Sequence, residues 1–207
     1  MLAVTADSRK LPPCVFFKRN TMQKANFPAG IHMRSQGKVW MSADLMVEWV
    51  QTVWGRRPGT LLLPSLLVPG SFRSHLRENV RQKIEELRTE IAIIPGGLTL
   101  VLQPLDVCIK KPFKDGVRCL YTEWMPHRGH ALTPTGKIRR PFVELVFSWI
   151  LDSWHLLPGD LITKSFTKTG IANSQDGSIN DQLWDQDVEV ASDRDDGISN
   201  SGENLSN

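Results

Sequence analysis

The stretch from Ser65 to Asp106 constrains the rest of the chain. It opens with an apolar run, Ser65-Leu66-Leu67-Val68, and a break at Pro69-Gly70-Ser71. A charged segment follows from His75 to Glu90, then a second apolar run, Ile91-Ala92-Ile93-Ile94. A turn at Pro95-Gly96-Gly97 leads to Leu102-Gln103-Pro104-Leu105-Asp106. Two short apolar runs around a segment of helical period predict strand, helix, strand. In that helix Leu76, Val80, Ile84 and Leu87 face inward, and Arg77, Glu78, Arg81, Lys83, Glu85 and Arg88 face outward. The strand is apolar at nearly every position from Leu61 to Val68, with Pro64 limiting its regular part to Ser65–Val68. That pattern predicts burial on both faces. In open α/β sheets the chemistry sits beyond the carboxyl ends of the strands.

The flanking segments fit around this unit. Met1–Ala6 and Leu11–Phe17, separated by Asp7-Ser8-Arg9-Lys10, predict a hairpin, with Pro12 and Pro13 at the start of its second strand. Residues 18–41 are basic and irregular, with a brief strand expected at Gln36–Met41. Ser42 is a helix cap, and Leu45, Met46, Trp49, Val50 and Val53 form one apolar stripe. Trp40, Trp49 and Trp54 are read as core. Gly55-Arg56-Arg57-Pro58-Gly59 ends that helix and exposes two arginines. Further on, Lys110, Lys111, Lys114 and Arg118 open a helix whose apolar face is Val117, Leu120, Tyr121 and Trp124. His127–Thr135 reads as a loop. Pro141 starts a helix carrying Phe142, Val146, Trp149 and Ile150 and ending near Trp154. A last helix runs from about Gly159 to Lys168, with Gly170 as its stop.

Composition excludes several function classes. Cys14, Cys108 and Cys119 have no CxxC spacing and read as reduced thiols, and the five histidines add no metal-ligand spacing. No apolar run approaches the roughly 20 residues a membrane span needs, and the start lacks the pattern of a secretory signal. Pro95-Gly96-Gly97 lacks the Lys-Ser/Thr ending of a phosphate loop. Ser71, with His75 four residues on, reads as a helix cap and not as a nucleophile. The net charge of +3 hides an asymmetry. Residues 172–207 hold nine acidic residues against Arg194, a net −8, so residues 1–171 carry +11. A basic body suits a polyanion. The tail, rich in Ser, Asn, Asp and Gly, is expected to be disordered and to offer a site for protein partners.

The motifs resemble the DDE endonuclease domain of pogo/Tigger-type transposases and their domesticated descendants. There the first apolar run ends Leu-Val-Leu-Asp-Ser-Phe-Arg and the second leads to Gln-Pro-Leu-Asp, the two aspartates being metal-binding catalytic carboxylates. Here the second motif is intact, Gln103-Pro104-Leu105-Asp106, whereas the first reads Leu67-Val68-Pro69-Gly70-Ser71-Phe72-Arg73. Pro95-Gly96-Gly97-Leu98, Lys111-Pro112-Phe113-Lys114, Lys164-Ser165-Phe166, Gly170-Ile171 and Asn173 extend the likeness over about residues 1–185.

The resemblance implies an α/β, RNase H-like fold with C-terminal helices and a disordered acidic tail. The expected division is a partial endonuclease-like domain, residues 1–171, and the tail, residues 172–207. The family's first strand, with its catalytic aspartate, would precede Met1, so the fold is expected to be incomplete, its first strand missing. A two-metal site needs several carboxylates around ions roughly 3.5–4 Å apart. Asp106 alone remains as catalytic and metal ligand, a remnant. The expectation is a nuclear, transposase-derived protein that binds DNA without sequence preference and does not cleave it. No cofactor is expected, and Mg²⁺ only if the chain is active. The expected contacts to nucleic acid are Arg56, Arg57, Arg73, Lys110, Lys111 and Lys114. The alternatives are a metal-dependent endonuclease using Asp106, and a protein-interaction module or fragment without its own role.

Overall fold

In the computed structural model the chain enters through the expected hairpin. Val4 bridges Lys10 antiparallel. The amides of Thr5, Leu11 and Cys14 donate to the carbonyls of Arg9, Ala3 and Met1 at 2.9–3.0 Å. The two prolines, which have no N–H to give, lie between the last two of these bonds. Side chains alternate along Met1–Val4 as extended backbone requires. Met1 and Ala3 pack on one apolar cluster, Leu2 and Val4 on another. The structure describes residues 1–18, 27–36, 41–60, 62–72, 77–127 and 130–173, and Met1–Asn173 form one compact unit.

The first cluster gathers Leu11, Cys14, Met46, Trp49, Val50, Val53, Trp54, Val80 and Ile84. Strand β1 (Cys14–Lys18) pairs in parallel with β2 (His32–Gln36), Cys14 opposite His32. β2 falls inside the segment read as irregular, before the strand expected at Gln36–Met41. Residues 37–40 of that expected strand, Trp40 included, lie outside the described residues. Helix α1 (Ala43–Trp49) starts on Ser42, whose hydroxyl accepts from Leu45 N–H, and runs into a wider π-type turn, Val50–Trp54. Its stripe is buried as expected, with Met46, Val50 and Val53 at 3% exposure or less.

Then comes the strand–helix–strand unit: β3 (Ser65–Leu67), α2 (Glu78–Glu85) and β4 (Thr89–Ile91). Val80 and Ile84 are fully buried on α1 and its π turn. α2 is shorter than its charge pattern predicts. Arg88 takes a left-handed φ of 51°, so β4 starts two residues earlier than its apolar run. Thr89, buried, accepts from Trp54 Nε1 at 3.1 Å, which fixes that start. The expected burial of β3 on both faces is corrected. Leu67 and Ile91 pack on the first cluster, but Leu66 pairs with Glu90 on the opposite face and is half exposed. Among the described residues this sheet has two strands, and α1 and α2 cover one of its faces. Leu62 and Leu63 are also exposed.

The second cluster is C-terminal: Ile109, Trp154, Leu157 and Ile162. After helix α3 (Thr99–Leu102), a π-type turn at Leu105–Ile109, α4 (Lys110–Trp124), α5 (Val143–Leu156) and α6 (Gly159–Lys168) build it. Lys10 Nζ donates to the carbonyls of His155 and Leu157, both at 2.7 Å, satisfying the open end of α5. Trp154 Nε1 donates to Leu11 O at 2.9 Å. α6 ends as expected, with Gly170 at φ +72°. Residues 131–139, read as loop up to Thr135, close a small hairpin. Leu132 bridges Ile138, and Gly136 at φ +76° makes the turn. The acidic tail lies, from Ser174 on, outside the described residues.

Candidate functional site

Parallel pairing brings the carboxyl ends of β3 and β4 to the same edge. Ala92 and Ile94 N–H donate to Leu67 and Pro69 carbonyls at 2.9 Å, and Gly70 bridges Ile94. The loops beyond meet: a Cβ built on Gly96 would lie 3.4 Å from Ser71 Oγ. Gly97, at φ +85°, turns the chain back into α3. That return lays Thr99 and Gln103 over Gly70. A Cβ there would lie 3.5 Å from Gln103 Oε1 and 3.6 Å from Thr99 Cγ2. The Gln103 end of the intact motif and the altered position of the other motif are therefore neighbours in space.

Asp106 follows on the π turn, its N–H donating to Gln103 O at 2.9 Å. Its side chain is 15% exposed and is ion-paired with Lys110 Nζ one turn along. Ile109, fully buried, anchors this turn in the second cluster. Among the described residues, no three His, Cys, Asp or Glu side chains come together as a metal site would require.

The basic residues divide. Lys111 and Lys114 are exposed and stand three apart on α4, so they share a face. Lys110 is turned to Asp106. Arg56 is exposed in the turn after Trp54. Arg57 folds inward. Its guanidinium lies 3.9 Å above the Trp54 ring, donates to Trp54 O at 2.7 Å and Thr89 Oγ1 at 3.3 Å, and bonds Ser65 Oγ. Partial burial draws its pKa below the usual arginine value. Arg73 lies outside the described residues.

Sequence reasoning passed over two features. Gln103 was read only as part of a motif, and its contact with Gly70 depends on the turn at Gly97. A cavity of about 530 Å³ opens between the end of α4, the 131–139 hairpin and the start of α5, with Lys137, Arg139 and Arg140 on its wall. The run of three cations within Lys137–Arg140 was its one signal.

Residues 1–166 match the DDE superfamily endonuclease family. Among curated proteins, the chain is 36% identical over 191 residues to the human "Pogo transposable element with KRAB domain", covering 92% of this chain and 31% of that protein. The mouse protein of the same description matches to the same extent. The human "Pogo transposable element with ZNF domain" is 28% identical over 192 residues, covering 91% of this chain and 13% of its own length. The chain thus spans less than a third of these relatives. No solved structure matches. The match over most of the chain, with the motif residues meeting at the strand ends, means that the chain belongs to the DDE superfamily endonuclease family and is related to pogo transposable-element proteins.

Proposed function

We propose that this chain is a transposase-derived nuclear DNA-binding domain of RNase H-like architecture that has lost strand cleavage. The observation that carries the reading is Gly70. It stands at a strand end against Gln103, where the resemblance calls for a carboxylate. Mg²⁺ is bound through oxygen ligands and gives up its waters reluctantly. Gly70 has no side chain to offer, and the Asp106 carboxylate is already held by Lys110. These residues do not fit a metal pair.

Binding without cleavage needs only cations facing phosphates, and these are retained. Lys111 and Lys114 are exposed on one face of α4 and form no ion pair among the described residues. The excess of +11 over residues 1–171 favours a polyanion. Each neutralised phosphate of a duplex contributes about −0.9 to the log–log salt slope. The test is binding of a random duplex by anisotropy across a salt series, for the intact chain and Lys111→Ala/Lys114→Ala. We expect binding that weakens steeply with salt, and a slope reduced by about 1.8 in the double variant. Absence of binding at low salt, or a slope indifferent to both lysines, would overturn the reading.

A further inference from the structure

The cavity at the end of α4 has a composition that the duplex-binding surface does not explain. Its floor is aromatic. Tyr121 and Trp124 have ring centroids 5.9 Å apart, and each meets Trp149 edge-on, at 6.1 and 5.9 Å. His130 lies against Trp124 at 4.0 Å and bonds its carbonyl at 2.8 Å. The rings are therefore held by Trp149 and His130. Tyr121 is 42% exposed, and Trp124 is partly buried beside it.

The wall is cationic. Lys137, Arg139 and Arg140 are exposed, line the cavity and form no ion pair among the described residues. Among the described residues, no carboxylate lines it. The hairpin holds this wall in place: Thr133 N–H donates to Lys137 O at 2.7 Å and Arg139 N–H to Ala131 O at 2.8 Å.

An aromatic floor, its two rings tilted by 32° to each other, beside cations that form no ion pair among the described residues suits a planar ring tethered to an anion. Bases inside a duplex offer no free ring face, whereas an unpaired base does, and aromatic side chains take such bases with little regard to sequence. An acidic peptide would match the cations but leave the ring faces without a partner of their own kind. The volume lies within the range of small-molecule sites. We propose that this cavity binds an unpaired base of single-stranded nucleic acid, stacked on Tyr121 and Trp124, with flanking phosphates on Lys137, Arg139 and Arg140. The proposal shares its ligand class with the duplex reading but uses different residues, so the two can fail separately.

The test measures anisotropy of a short labelled oligothymidine and of a duplex, across a salt series, with the full chain. Variants are Tyr121→Ala, Tyr121→Phe and Arg139→Ala/Arg140→Ala, each checked for an unchanged thermal transition. Tyr121→Ala is expected to weaken single-strand binding about tenfold, the loss of one base stack, and to leave duplex binding unchanged. Tyr121→Phe, which keeps the ring, restores it. The double arginine variant lowers the single-strand salt slope by about 1.4, two phosphates at about 0.7 each. If single-strand binding is indifferent to Tyr121 while duplex binding still responds to Lys111 and Lys114, this proposal fails alone. If neither nucleic acid binds, both readings fail. If an acidic Trp-containing peptide binds in a Tyr121-dependent way and oligothymidine does not, the occupant is a peptide and the proposal is overturned.

Discussion

The proposed loss of cleavage rests on Gly70 and on what surrounds it. A Cβ there meets Gln103 and Thr99 at ordinary contact distance, so a side chain can be accommodated. Gly70→Asp is expected to stay folded and still show no metal-dependent nicking of a supercoiled plasmid, since it adds one carboxylate to an Asp106 already paired with Lys110. Metal-dependent nicking by that variant would show that the remaining ligands are present after all. The motif residues of this site were legible in sequence, and the Asp106–Lys110 pair follows from four-residue spacing on a helical turn. The cover over Gly70 and the inward turn of Arg57 were not, because their partners, Gln103, Ser65 and Thr89, are brought up by tertiary folding. A second residue-scale test concerns Glu48, which accepts from Arg34 of β2. That bond holds its carboxyl below the usual glutamate range. Its contribution to stability is therefore complete above the ordinary glutamate pKa and is lost as pH falls through the lower folded value. Both side chains are more than a third exposed, so Glu48→Gln should cost less than about 1 kcal/mol near neutrality. Urea midpoints of the two proteins should converge as pH is lowered below the ordinary glutamate range. A gap that widens in acid would contradict the sign.

At the scale of elements, the helices were the readable part. Ser42, the apolar stripe of α1, the inward Val80 and Ile84 of α2 and the Gly170 stop come from local chemistry, and each stands where its residues imply, while Leu76, also expected inward, lies outside the described residues. The strands were less readable. β2 is His-Met-Arg-Ser-Gln, with little apolar signal, and forms through backbone pairing with β1. β3 lies in a stretch apolar at nearly every position although α1 and α2 cover only one of its faces, so Leu66 faces out. The α4–α5 crossing was not readable either, since it depends on two small residues far apart in sequence. A Cβ on Gly116 would lie 3.1 Å from Ser153 Oγ and 3.2 Å from Ser153 Cβ, an atom fixed to the α5 backbone. Gly116→Ala should gain about 1 kcal/mol of helix propensity. It should lose about 1–3 kcal/mol to overpacking, a net destabilisation of about 1 kcal/mol. For a chain of this size that lowers the thermal midpoint by about 2–4 °C. Ser153→Ala removes a buried hydroxyl that has no hydrogen-bond partner among the described residues and should be neutral or mildly stabilising. A stabilised Gly116→Ala protein would mean that the helices separate without cost.

For the whole molecule, charge and ancestry point the same way. Two apolar clusters share the Met1–Val4 segment between them and carry a basic body. Residues 172–207 subtract eight charges from it. Removing them raises the net charge from +3 to +11 and should tighten duplex binding, most at low salt where screening is weak. Equal affinity with and without them, at every salt, would show that net charge does not govern binding. The central claim is that binding persists where cleavage has gone, and a single gel reads both. Purified chain is incubated with supercoiled plasmid in low salt with Mg²⁺ or Mn²⁺, and each sample is run with and without removal of the protein. We expect retarded plasmid in the untreated lanes and only supercoiled plasmid after protein removal. Nicked or linear plasmid that disappears in Asp106→Ala would contradict the claim.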